Sequence, residues 1–421
     1  MTALQKYSQT ALLLMFAIYG GSVFAEEDGP SATPTLKTLY SFTSPDGSSP
    51  GGGLVSHASS LYGATLAGGA SNQGAVYELS PPAAGGKTWT EAVLYSFTGA
   101  NDGGQCWGNV VFDSQGALYG VTLAGGEGLA GTVYQLTPPE VEGGAWTEAV
   151  LHSFTGGADG GSPAGIMFGS NGSLYGTATT GGASNQGTAF QLTPPAAPGD
   201  TWTYAVIHNF GGGKDGASPG AALIAGSKGT LLGTTYLGGA SNAGTVFQLT
   251  RPTKVGGAWT EAVIYSFTGG SDGGYPDAAL TAVASGALYG TASYGGATQD
   301  GTAFELTPPA ETGGAWTYTL LHSFAGEGDG THPYGAIVST STGLLGTTFS
   351  GGSTGDGTIF ALKPPTVSGD PWTEVVVYDF SGSTAGGNPL GGLVPGSSGV
   401  VYGTTFAGGS IGDGTIFQIT L

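Results

Sequence analysis

The chain has 421 residues, with 28 acidic side chains against 8 basic ones and a formal charge of −20. Such a balance excludes nucleic acid as a partner, because a phosphate backbone needs basic groups to neutralise it, and it disfavours anionic lipid for the same reason. The 84 glycines and 23 prolines would suit a disordered chain, but 39% hydrophobic and 10% aromatic residues with only 9% charged fit many short strands joined by tight turns.

Residues 1–25 are the first element. Lys6 precedes the apolar run "ALLLMFAIYGGSVFA", and Val23 and Ala25 sit where a signal peptidase wants small residues. The run is short for a membrane span. It reads as a cleaved export signal, with an uncleaved N-terminal anchor as the alternative, followed by a short linker over 26–34. The mature chain is therefore expected in the periplasm or outside the cell, without a membrane span. An exported chain with one cysteine, Cys106, has no internal disulfide framework, and that residue reads as a small buried apolar side chain.

The next element, "TLKTLYSF" at 35–42, looks like the end of a unit. Its phenylalanine starts a series, Phe42, Phe97, Phe154, Phe210, Phe267, Phe324 and Phe380, spaced by 55–57 residues. Tryptophans keep step from Trp89 to Trp372, as do dipeptides such as Tyr62-Gly63 and Tyr175-Gly176. The third unit shows the pattern. "AGIMFGS" runs through an Asn-Gly turn into "SLYGTAT", a glycine-rich loop leads to "GTAFQLT", and Pro-Pro separates that from "TWTYAVIHNF". Asn-Gly is a hairpin signal, Pro-Pro ends a ladder, and no stretch after the signal has a helical period. Four antiparallel strands in a unit of this length describe a propeller blade.

The first three strands of a unit occur seven times, and the last set stops at Leu421 without a fourth. The orphan fourth strand at 35–42 fits that gap. The expected fold is all-β: a single seven-bladed β-propeller of four-stranded antiparallel blades over residues 35–421, closed by the N-terminal strand completing the last blade. Outer strands such as "AVLYSF" are apolar throughout, which predicts that stacked blades cover both of their faces.

The recurring "LYGTTYLGGASNAGTVFQLT" type of run, seen here at 231–250 with Leu232 in place of the tyrosine, resembles the GloVer tandem repeat of exported bacterial proteins. The resemblance spans residues 35–421 in register. It implies a propeller-like exported protein, and it implies no agreed activity and no catalytic residues.

Candidate chemistry lies where loops lead into the innermost strands, on the face shared with the loops between second and third strands. Six of these lead-in loops carry Asp-Gly, at Asp46, Asp102, Asp159, Asp215, Asp272 and Asp329. Turn chemistry accounts for them; the alternative is a carboxylate ring that binds Ca²⁺, the one cofactor considered, although one carboxylate per loop falls short of the six to eight oxygens calcium takes. His152, His208 and His322 fill a slot that holds tyrosine in other units and read as packing. Gly126, Gly128 and Gly131, and the Gly-x-Ser-x-Gly runs at 47–51 and 216–220, lack the helix their motifs require.

Departures from the repeat carry more information. Where most units place small residues and proline, unit two has Gln105 and Trp107, unit five Tyr275 and Asp277, and unit six His332 and Tyr334. These are expected in loops at the mouth of the central channel, where aromatic faces and a few polar groups suit a polar ligand. The expected role is a monomeric, non-catalytic binding or surface-interaction module for an extracellular glycan or protein. The alternative is a carbohydrate-active hydrolase or lyase using the same face.

Overall fold

The structure is a computed structural model that describes residues 34–421 apart from 142, 198–199, 255, 312, 327 and 368. The export signal at 1–25 and nearly all of the 26–34 linker lie outside the described residues. Hydrogen bonding sorts the strands into seven four-stranded antiparallel sheets. Blade three runs from the innermost strand Gly161–Phe168 through Leu174–Thr180 and Thr188–Thr193 to the outer strand Thr203–Asn209. Blade seven takes its fourth strand from the other end of the chain. Thr35–Ser41 lies antiparallel to Thr415–Thr420, with Thr35 opposite Thr420 and Ser41 opposite Thr415. The described residues contain two single 3₁₀ turns, Gly213–Asp215 and Ser227–Gly229, and no α-helix.

The repeated dipeptide has a packing cause. Gly176 pairs with Phe190 across the blade, and a Cβ at Gly176 would lie 2.5 Å from the tip of that ring. Gly63 under Tyr77 and Gly120 under Tyr134 repeat the arrangement, at 2.3 and 2.2 Å. Each of these rings also meets the phenylalanine that ends the outer strand of the preceding blade. Centroids are 5.3 Å apart for Phe154 and Phe190, 5.4 Å for Phe380 and Phe417, and 4.9 Å for Phe42 and Tyr77. All seven phenylalanines of that series are fully buried. The core is thus a ring of aromatic pairs between blades, and the N-terminal strand supplies the pair that closes it.

Polar contacts follow the same seven-fold logic. Thr177 on the second strand of blade three donates to the Ala221 carbonyl of blade four at 2.8 Å, and Thr404 of blade seven donates to Gly52 of blade one at 3.2 Å. Ala64 and Val121 occupy that position in blades one and two.

One expectation needs correction. Outer strands are not covered on both faces: Val93, Val150, Leu320 and Val375 are 38–41% exposed. The fourth strand lies at the perimeter, where blades splay apart and no neighbour reaches alternate side chains.

Candidate functional site

Lead-in loops and second-to-third-strand loops share one face, as isolated bridges from Ala217 to Leu237 and from Gly274 to Tyr294 show. Each lead-in segment passes through one non-glycine residue in the left-handed region: Ser49, Gln105, Ser162, Ser218, Tyr275, His332 and Asn388, with φ between 49° and 60°. The backbone N–H of each reaches back to the preceding blade. Gln105 donates to Gln73 at 2.6 Å, Tyr275 to Ala243 at 2.7 Å and His332 to Asp300 at 2.9 Å. This tie holds the backbone against the cost of positive φ, and the side chain is left free to vary. Two residues further on, Trp107, Asp277 and Tyr334 take the position held by Gly51, Ala164, Gly220 and Leu390 in other blades. Gln105 and Trp107 lie within the long innermost strand Gly104–Phe112, not in a loop as expected, because blade two pairs further along its lead-in segment.

A cavity of about 170 Å³ occupies the channel, lined by innermost segments of six blades and including Trp107, Asp277 and Tyr334. Glycines on the preceding blade make room for two of the large groups. A Cβ at Gly51 would lie 2.8 Å from the Trp107 indole, and one at Gly220 would lie 2.0 Å from Asp277 Oδ1. Burial pushes the Asp277 carboxyl up to about 6. Trp107, Asp277 and Tyr334 are brought together by the cavity, whereas Gln105 is exposed on blade two and is not among the lining residues.

Within electrostatic reach of Asp277, blades four to six form a wall of rings. Tyr236 and Tyr275 have centroids 5.2 Å apart, Tyr275 and Tyr294 5.7 Å, Tyr294 and His332 4.7 Å, and His332 and Tyr334 6.2 Å in a stacked arrangement. Burial first, and then a hydrogen bond with Tyr294, holds the Tyr334 phenol well above its ordinary value. Burial also raises Tyr236, with Tyr294, Asp277 and Tyr275 adding to the effect. Tyr275, His332, Tyr334 and Asp277 therefore converge. Sequence reasoning missed Tyr236 and Tyr294. Their signal was available, since they replace Leu66 and Ala67 of blade one after the second strand.

The Asp-Gly carboxylates do not converge. Each closes its own turn by accepting from a nearby backbone N–H, as Thr43 to Asp46 at 2.7 Å, Thr98 to Asp102 at 2.8 Å, Thr155 to Asp159 at 3.0 Å and Thr268 to Asp272 at 3.0 Å. Each also meets the tyrosine or histidine of the outer strand. Tyr265 donates to Asp272 at 2.9 Å, and imidazole nitrogens of His152, His208 and His322 lie 3.3, 3.1 and 3.0 Å from Asp159, Asp215 and Asp329. Histidine replaces tyrosine here because both reach the same carboxylate, so packing alone understates the role. No group of three or more His, Cys, Asp or Glu side chains suited to a metal occurs among the described residues. Cys106 is buried, and burial raises its thiol well above the ordinary value.

Solved structures share the fold. The extracellular domain of a hybrid two-component system protein from B. thetaiotaomicron matches with a TM-score of 0.56 and 10% identity, over 92% of this chain and 42% of that one. A polysaccharide lyase of the ulvan lyase family PL25 matches with a TM-score of 0.53 and 11% identity, over 90% and 93%. A protein of unknown function from Dyadobacter fermentans matches with a TM-score of 0.45 and 12% identity, over 93% and 100%. No curated protein matches the chain in sequence. Among the described residues no helix is long and apolar enough to cross a membrane. The repeat, one that characterises exported bacterial proteins, matches residues 19–147, 140–316 and 252–421, and the chain belongs to the Gloeobacter/Verrucomicrobia repeat family.

Proposed function

We propose that the protein engages a carbohydrate chain across the channel mouth, on the wall of rings contributed by blades four to six. The observation that carries this reading is the run of five side chains, Tyr236, Tyr275, Tyr294, His332 and Tyr334, in consecutive ring contact. Rigid aromatic faces with polar tips supply contact area and hydrogen bonds together. Tyr294 is 36% exposed and stands where a sugar ring would stack. The wall rests on backbone ties between blades, so the rings are held in place before a ligand arrives.

Catalysis at the same face is the second reading. The fold likeness to a polysaccharide lyase supports it, and so do the Tyr334 phenol and the Asp277 carboxyl lining one cavity. Hydrolysis by paired carboxylates finds less support, because Asp277 is the one carboxylate of the lining and such enzymes use two.

A glycan array followed by product analysis tests both readings. The mature protein is expected to bind one glycan class, and Tyr294→Ala should weaken that binding about tenfold, the loss of an exposed aromatic anchor. Product formation from the bound glycan would favour the enzyme. A protein that retains none of the array and releases no product would sink both.

A further inference from the structure

Asp277 is a half-buried carboxyl at the channel with no charged partner among the described residues. Its carboxylate reaches the channel beside Gly220, with Oδ1 too close for any Cβ at that position. No hydrogen-bond donor or ion-pair partner for it occurs among the described residues, and the cavity lining contains neither lysine nor arginine. The half-buried carboxylate is thus left to solvent in the cavity, and a counter-charge brought beside it is favourable. Tyr334 lines the same cavity and continues into the ring wall through His332 and Tyr294. The faces of such rings carry negative potential and attract cations. The chain as a whole, at −20, draws cations toward it and repels anions.

We infer that this mouth selects a carbohydrate bearing a cationic amino group, with the ammonium beside Asp277 and the sugar on the tyrosine wall. The inference rests on the carbohydrate reading above and names its ligand class. A neutral sugar would stack on the rings and offer hydroxyl donors to the carboxylate, but it would bring no counter-charge. A uronic acid would add a second negative charge next to it. A calcium ion would find one carboxylate in the lining and would have to fill most of its six to eight sites with neutral oxygens. Trp107 lines the same cavity from blade two and adds an aromatic surface to it.

Calorimetric titration with three probes tests this: a glucosamine oligomer, its fully N-acetylated counterpart and a galacturonate oligomer of equal length. The glucosamine oligomer is expected to bind at least tenfold more tightly than the N-acetylated one, and the galacturonate oligomer more weakly than either. Asp277→Asn should bring the ratio of the first two affinities close to one. Gly220→Ala, which drives a methyl group into the carboxylate, should reduce the same ratio, so the test survives if either variant fails to fold. Equal binding of the amino and acetylated probes, or a ratio unchanged in both folded variants, would overturn the cationic preference and leave the carbohydrate reading standing. Absence of binding by all three, together with an empty array, would remove that reading and this inference with it.

Discussion

At the scale of single residues, the repeat is governed by close approach. Gly176 lies mid-strand opposite Phe190 with no room for a methyl group. Gly176→Ala is expected to cost about 1–3 kcal/mol, the usual penalty for overpacking, measured by chemical denaturation. A change below a few tenths of a kcal/mol would show that the ring can yield. The Asp-Gly positions were legible as turns from sequence, because Asp accepts local N–H bonds. The partner seven residues upstream, such as Tyr265 for Asp272, became legible only once the outer strand and the turn were folded together.

Strands carry a second device. Glu91, Glu148, Glu261 and Glu374 occupy one position of the outer strands, and one carboxylate oxygen of each is buried without a hydrogen-bond partner. Burial raises all four from the ordinary 4.5 to about 7, and a neighbouring Asp-Gly carboxylate, Asp46, Asp102, Asp215 or Asp329, adds repulsion; at Glu374 the His322 ring acts in the opposite sense. In blades three and five the position holds Tyr204 and Tyr318, and Tyr318 donates to the Asp272 carbonyl at 2.7 Å. Because the folded state holds these protons and the unfolded chain releases them, stability is fully present below about 4.5 and is lost as pH rises through about 7. The melting temperature is expected to fall between pH 5 and pH 8 on this account. Glu148→Gln should raise the melting temperature at pH 8 and shrink the difference between the two pH values. An equal pH response in the variant would locate the effect elsewhere.

For the whole molecule, closure is the controlling event. The N-terminal strand fills the last edge of blade seven, and Phe42 completes the aromatic ring against Tyr77. Phe42→Ala should cost about 3–5 kcal/mol, as large-to-small core changes of this kind do. Deleting residues 34–42 should lower the melting temperature far more and promote self-association, since the freed edge along Thr415–Thr420 can pair with another chain. A monomeric elution profile with an unaltered melting curve would contradict this role for the strand.

The sequence by itself determined the blade count, the strand order and the clasp, because each rests on residues a fixed distance apart. Phe42 to Phe380 mark seven equivalent strand ends, and a missing fourth strand at one end of the chain matches a surplus one at the other. Periodicity of this kind survives in one dimension. It also exposed Trp107, Asp277 and Tyr334, which break the pattern where other blades keep glycine, alanine or leucine. What the tertiary structure decided is which departures meet. Tyr236 and Tyr294 belong to different loops from Tyr275 and His332, on neighbouring blades, and only the rotation from one blade to the next brings their rings into contact. Gln105 breaks the repeat as strongly as Tyr275 and shares its left-handed backbone, but blade two holds it apart from the wall. A repeat encodes the geometry of one unit, whereas a binding site depends on the angle between units, and that angle is set by packing among side chains far apart in the chain.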